Sequence, residues 1–575
     1  MTPGAGLASS RLSGLRALVT VPAVLFAFVA AALTVLGYQL DARGEVAYGF
    51  TLVASLALTP LYLLAYCIVF SWFEKREHDP IQKVDKRLLA ACVCCIATVW
   101  LAWYFVLFPG VYGYDGAFCL LEWIDDDVEL TSRWSVPFTW LYSFVVMSGR
   151  SMTGSYIGGF AVYSFLQMAF LVFCCARVVW AVMRRSAFVG PIATTAFFAL
   201  NPLFPLIAVS SSQDALFMGL FALMVARIVG MLDVSEDRPT WRGVVVLMVV
   251  VLLFCLVRNN GIYAIVVALP FIAVFLWRSP VVRPLFLALC VPVVVALVVQ
   301  GPVYDALGVT KSTTLQEMMS VPVMQLSRTY AHEGESLSDQ DKAEILSYIP
   351  EDGIRWYDAS SELSDAMKAV LDVERIQGDP MAFVSLYVRM GVAYPRDYFE
   401  ATALGSLGLW YPAKSYPDSR MYHPYIESEC LDARQYNPDY IDIPSASFAP
   451  AVDAVVNEQF GGSQNAESRG AERFSTVPVA SLFLKPGAYL FASLAMVAFF
   501  LSGRRSNELA ALALFAGVGF TVLLGPVVLF RYIAPMMFSF PLAVSWLACP
   551  IGGRGCAESD FDLRGVSSTE EVMTS

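Results

Sequence analysis

The chain has 575 residues, of which 57% are hydrophobic and only 15% are charged. That composition excludes a soluble enzyme, because many apolar runs approach or exceed the ~20 residues needed to cross a bilayer. The net charge of −11 is uneven: residues 302–478 hold 27 acids against 13 Lys and Arg, and the remainder is mildly basic. No basic patch of the kind that binds nucleic acid is present, so no nucleic-acid partner is expected.

Arg11 and Arg16 precede an apolar run, Ala17–Leu40. It is longer than the ~7–15 residues of a signal-peptide core and reads as a retained first helix. A second helix is expected over Ala47–Phe73. The loop Glu74–Arg87 holds Lys75, Arg76, Lys83, Lys86 and Arg87, and so many cations mark a cytoplasmic loop. The third helix, Leu88–Phe108, then emerges on the extracytoplasmic face, where Pro109 and Gly110 end it. Asp115 follows among aromatics and glycines. It is either a solvated loop acid or a carboxylate at the mouth of a helix bundle, a candidate general base.

The stretch Val136–Met147 decides the remaining topology. If it crossed, Arg184-Arg185, Arg238/Arg242, Arg278/Arg283 and Arg504-Arg505 would all face outward, against the charge rule. Residues 109–155 therefore read as one external loop with amphipathic segments in the interface. Spans are expected at Tyr156–Met183, Phe188–Val209, Ala215–Leu232, Gly243–Val257, Ile262–Trp277 and Pro284–Gln300. Three more follow at Val479–Leu501, Leu509–Gly525 and Pro526–Ala548. The fold class expected is an all-α integral membrane protein of about 12 transmembrane helices, a multi-pass protein of the cell membrane with both termini cytoplasmic. Its parts are an N-terminal transmembrane domain (1–301), an extracytoplasmic, mostly helical segment (302–478), C-terminal transmembrane helices (479–548) and a cytoplasmic tail (549–575) expected to be disordered.

Within the acidic segment, Ser338-Asp339-Gln340-Asp341 is a helix-capping signature. Leu363, Met367, Val370 and Leu371 have helical spacing, and Asp379-Pro380 opens another helix. Pro395-Arg396-Asp397 interrupts before a run over Tyr398–Leu409, which Trp410-Tyr411-Pro412 closes. Gln459–Ser475 reads as a flexible linker. Most of the twelve cysteines sit in apolar runs. Cys119 and Cys430 are the two placed in external loops, where an oxidising compartment would allow them to pair. His78, His332 and His423 are far apart, so no metal-ligand cluster forms. No cofactor is expected, and a divalent metal finds no support. Phosphate-binding loops, serine-hydrolase elbows and dinucleotide fingerprints are absent.

On this topology, Asp115, Ser210–Asp214, Arg258–Gly261, the 302–478 segment and Arg531 share one face. Asp214 tops a helix, either as a cap for free amides or as a second acid. Arg258 is either a snorkelling cation or an anion clamp assisted by Asn259 and Asn260. Arg531-Tyr532 offers the same alternatives. Two arginines and two acids on one face suit a phosphate-linked substrate with a hydroxyl acceptor.

Six motifs in this order resemble the GT-C class of multi-span glycosyltransferases that use polyprenyl-phosphate sugars. They are Pro109-Gly110 with Asp115, Asn201-Pro202 leading to Gln213-Asp214, Arg258-Asn259-Asn260-Gly261, the run from Val321 to Arg328, Trp410-Tyr411-Pro412, and Arg531-Tyr532 with Pro535. The likeness is nearest to a bacterial branch of predicted membrane proteins. It implies transfer of a sugar from a polyprenyl-phosphate donor to an envelope glycan or protein at the outer face of the bilayer. It makes Asp115 the base, with Asp214 positioning or assisting. Arg258 and Arg531 would hold the donor phosphate, with Asn259, Asn260 and Tyr532 as further contacts. The class often has an acid pair where this chain has Asp115-Gly116, and a His-Pro-Pro-like element where it has Trp134-Ser135-Val136-Pro137. A transporter or flippase of lipid-linked sugar, or a non-catalytic scaffold, remains an alternative on the residues alone.

Overall fold

The structure, a computed structural model, describes the chain except residues 1–17, 75–81, 107, 111–113, 126–127, 187, 234–239, 311–313, 356, 358–363, 415–479, 526–527, 529 and 553–575. The expected linker at 459–475, Cys430 and nearly all of the C-terminal tail lie outside the described residues. Among those described, the elements are helices, and the only β pairing is an isolated bridge between Thr131 and Thr310.

The first half of the chain builds α1 (Val21–Arg43), α2 (Tyr48–Glu74), α3 (Lys86–Val106), α4 (Tyr114–Ile124), α5 (Val136–Thr153) and α6 (Tyr156–Met183). Then come α7 (Val189–Leu200), α8 (Leu203–Ala208), α9 (Gln213–Leu232), α10 (Trp241–Val257), α11 (Asn260–Leu276) and α12 (Val282–Val298). Among the described residues, seven helices are long and apolar enough to cross a membrane: α1, α2, α3, α6, α9, α12 with its continuation to Ala306, and a late helix, Ser506–Leu523. Others, such as α7, α10 and α11, are apolar but shorter. Large apolar side chains such as Leu25, Leu56, Phe144 and Phe173 lie on the outside. In water such a surface would aggregate; against lipid tails it costs nothing, so the helices point to a bilayer environment.

The core centres on α9, where most side chains are buried, among them Phe217, Phe221 and Met224. Its length of 20 residues suits one crossing, about 30 Å at ~1.5 Å per residue. The expected single span Phe188–Val209 is instead two helices, α7 and α8. Pro202 lacks the amide that would continue the ladder, and the residue before a proline is pushed out of helical backbone. Asn201 accordingly sits at ψ 111 and its side chain accepts from the amide of Leu203 at 3.1 Å. A helix also covers Val136–Met147 but runs on to Thr153, with Ser135 as its N-cap and Gly154, at φ 77, as its C-cap. It packs along the start of α6 through Tyr142 against Phe160 and Tyr163, and it is not among the apolar spanning helices.

The acidic segment has its own core of Val323, Leu326, Ile345, Met367 and Leu386. It includes α13 (Ser320–Glu333), α14 (Asp339–Tyr348), α15 (Pro380–Ala393) and α16 (Pro395–Gly405). Ser338 caps α14 and Asp379 caps α15 as their side chains suggest. The expected interruption is present but falls on Tyr394, at φ −127 and ψ 58, and Pro395 itself occupies the first turn of α16, where a missing amide costs nothing. The segment is fastened to the α1–α2 turn. Arg328, fully buried on α13, donates to the carbonyl of Gly44 at 2.9 Å and pairs with Glu400 of α16. Glu400 in turn accepts from the amide of Val46 at 3.1 Å. The closing helices are α17 (Pro486–Ser502), α18 (Ser506–Leu523) and α19 (Phe530–Ala548). Of the last expected span, Pro526–Ala548, a helix is described over Phe530–Ala548, and residues 526–527 and 529 lie outside the described residues.

Candidate functional site

The site forms where several helices end together. Residues 207–212, the end of α8 and the link to α9, are held against α6 by one buried amide. Gln167 donates through Nε2 to the carbonyls of Ala208 at 3.0 Å and Ser210 at 2.6 Å. Tyr163 fixes that amide by donating to Gln167 Oε1 at 2.7 Å. Ser212 then caps α9: its hydroxyl accepts from the Asp214 amide at 3.2 Å and donates to Asp214 Oδ2 at 2.8 Å. Asp214 is 1% exposed and lies in the first turn of α9, where the helix dipole favours an anion. The cap of α9 is thus Ser212 and not Asp214, whose carboxylate accepts from the capping hydroxyl and reaches two cations.

Those cations come from two other helices. At Arg258 the backbone leaves α10 in extended conformation, φ −148 and ψ 130, and the chain turns back into α11. Gly261 permits the turn, because a Cβ there would stand 2.7 Å from the carbonyl oxygen of Phe254. Arg258 pairs with Asp214 Oδ1 through Nη1. Arg531, from the first turn of α19, places Nε 3.6 Å from Asp214 Oδ2. Tyr532 presents its ring to both guanidiniums, 4.3 Å from Arg258 and 5.3 Å from Arg531. Such an arrangement stabilises cations by charge and by ring quadrupole together.

Asp115 occupies the first turn of α4; its side chain lies outside the described residues. Its backbone neighbours locate it. A Cβ on Gly110, at φ +125, would stand 2.8 Å from the carbonyl oxygen of Val209. A Cβ on Gly116 would stand 2.6 Å from the carbonyl oxygen of Ser211. The short stretch containing Asp115 is thus pressed at both ends onto the segment that delivers Asp214. Only glycine allows either approach.

Asn259 and Asn260 divide. Asn259 Nδ2 donates to the carbonyl of Ser132 at 3.3 Å, and its Oδ1 accepts from Gln300 at 3.2 Å. It ties α10 to the first loop and to α12. Asn260 opens α11. The structure therefore brings together Asp214, Arg258, Arg531, Tyr532 and the backbone around Asp115, and it employs Asn259 in joining elements. Cys119 is buried on α4, and its expected partner Cys430 lies outside the described residues.

Three polar residues escaped the sequence reading. Gln167 and Tyr163 were hidden inside an apolar run; a lone glutamine in a spanning helix was the available signal. Glu122, on α4, belongs to a loop already rich in acids. Thr131 donates to its Oε1 at 2.7 Å, while Oε2 is buried without a hydrogen-bond partner. Burial pushes its carboxyl up to about 7, with Thr131 and Arg133 opposing. Among the described residues, no group of three or more His, Cys, Asp or Glu is placed to hold a metal ion.

No curated protein and no solved structure matches the chain. A family model matches residues 121–554, a stretch that begins just after Asp115 and includes Glu122, Asp214, Arg258 and Arg531. Since it covers most of the sequence, the chain belongs to that family, DUF6020, described as a family of unknown function.

Proposed function

We propose that this protein is a membrane glycosyltransferase of the GT-C type, with about twelve spans, both termini in the cytoplasm and the 302–478 segment outside. In this reading it moves a sugar from a polyprenyl-phosphate donor to an envelope glycan or protein. The acceptor hydroxyl attacks the anomeric carbon, its proton passes to Asp115, and the polyprenyl phosphate departs towards Arg258 and Arg531. Asp214 is a positioning residue that holds both guanidiniums in place. The observation that carries the reading is the convergence of Arg258 and Arg531, from two separate helices, on Asp214 beside the backbone of Asp115. Arginine forks are suited to phosphate oxygens.

Binding of polyprenyl phosphate to the purified chain tests it. Arg258→Gln and Arg531→Gln are expected to weaken binding by about tenfold or more each, within the ~1.5–3 kcal/mol of a charge-assisted hydrogen bond. Equal binding by both variants would overturn the donor site. A second reading has one observation in its favour: Asp214 is closed off in its ion pairs, as a purely structural lock would be. A lock predicts loss of stability in those variants without any change in polyprenyl-phosphate binding by the folded fraction.

A further inference from the structure

At the far end of the bundle from Asp214, two arginines stand at one level of the neighbouring apolar helices α6 and α9. The two helices run side by side in the same direction. Gln167 meets Ser210 near the candidate site, Gly219 packs against Leu171 and Cys174 midway, and Arg185 pairs with Asp233 at 2.6 Å where both helices end. Arg177 lies seven residues before Arg184, the C-cap of α6, and Arg227 lies six residues before Asp233, the C-cap of α9. At ~1.5 Å per residue, both are about 10 Å in from the helix ends. The same register, Gly219 beside Leu171 and Cys174 and Arg185 beside Asp233, puts the two arginines at one level of neighbouring helices.

Neither cation has a carboxylate partner among the described residues. The nearby acid, Asp233, is already taken by Arg184 and Arg185 and by the amide of Gly552. Glu508 accepts from the amide of Ile551. Arg227 Nε is buried with no hydrogen-bond partner. The Arg177 guanidinium stands 4.6 Å from the ring of Trp180, and Arg184 covers the same ring at 5.2 Å, so a cation ladder climbs from the helix end. One turn above Arg177, Phe173 is 53% exposed on the outside of the bundle. Two like charges side by side at membrane depth are costly unless an anion joins them.

We infer that Arg177 and Arg227 form a binding site for a phosphate group, supplied by the headgroup of an anionic phospholipid in the leaflet opposite the candidate site. One phosphodiester spans both guanidiniums, Trp180 lies at headgroup level, and an acyl chain runs up past Phe173. Depth favours the lipid over free phosphate, which would have to leave water to reach the pair.

The test uses the full-length chain in phosphatidylcholine nanodiscs, titrated with phosphatidylglycerol and, separately, with inorganic phosphate, with retained lipid counted by native mass spectrometry. The wild type is expected to retain phosphatidylglycerol over phosphatidylcholine by tenfold or more and to show no saturable response to inorganic phosphate. Arg177→Gln with Arg227→Gln removes the preference. Arg278→Gln with Arg283→Gln, which removes exposed cations, leaves it intact. Saturable binding of inorganic phosphate that displaces phosphatidylglycerol would overturn the lipid as the source. Should the double glutamine variant fail to fold, Arg177→Lys with Arg227→Lys keeps charge but loses the planar fork, and a preference reduced at least threefold is expected. A wild type without preference, or a folded variant that keeps it, overturns the site.

Discussion

Arg258 and Arg531 start 273 positions apart and end on one carboxylate. Asp214 is nine-tenths and more buried, so removing it strands two buried cations. Asp214→Ala is expected to cost about 3–5 kcal/mol, the usual penalty for breaking a buried pair from one side, measured as denaturant or thermal stability in detergent. The charge distribution of the loops placed these three side chains on one face before any contact was known. The pairing itself was not legible, because it depends on where α10 and α19 begin and end. Glu122 gives a second expectation at this scale. Its carboxyl is raised from 4.5 to about 7 in the folded protein, so between those values the folded state binds the proton that the unfolded state has lost. Stability therefore falls as pH rises through that window. Glu122→Gln should flatten the slope, read as melting temperature against pH; an unchanged slope would assign it to other groups. Nothing in the sequence separated Glu122 from its acidic neighbours, since burial alone distinguishes it.

The elements were legible in proportion to their periodicity and their punctuation. Long apolar runs marked α2, α3, α6 and α9 to within two residues at each end and α1 to within four. Asn201-Pro202 was visible as a motif, yet it read as part of a span; its consequence is a break that lets residues 207–212 bend back onto Gln167. The two glycines flanking Asp115 show the same principle. Gly116→Val would drive a side chain into the Ser211 backbone, and a backbone carbonyl cannot rotate out of the way. It is expected to lower stability and abolish any donor binding together, whereas Gly230→Ala, with open space at its Cβ position, should change neither. The motif around Arg328 turned out to fasten the acidic segment to the α1–α2 turn. Arg328→Ala leaves the buried Glu400 with Arg396, the Val46 amide and the Tyr48 hydroxyl, and without its buried cation. Limited proteolysis should then cut the 302–478 segment faster than in the wild type, while α9 stays protected.

At the scale of the whole molecule, an all-helical body with apolar spanning helices carries a helical acidic segment clamped to one end. Hydropathy announced that body, and the loop charges proposed its orientation. What hydropathy could not show is that several helices stop short or break at the same end, which is where polar side chains meet without each having to cross the bilayer. If the proposed orientation holds, a cysteine placed at the exposed Ser336 is labelled by a membrane-impermeant maleimide in intact cells; labelling only after lysis would put the acidic segment in the cytoplasm. The central claim is that Asp115 takes the acceptor's proton during sugar transfer. Vesicles from cells supplied with isotope-labelled polyprenyl-phosphate sugar, carrying either the wild type or Asp115→Asn at equal folded amounts, test it most directly. The account predicts label moving into the envelope acceptor fraction with the wild type and a loss of at least a hundredfold with the variant, in the range general-base removal brings. Equal transfer by the two would contradict it.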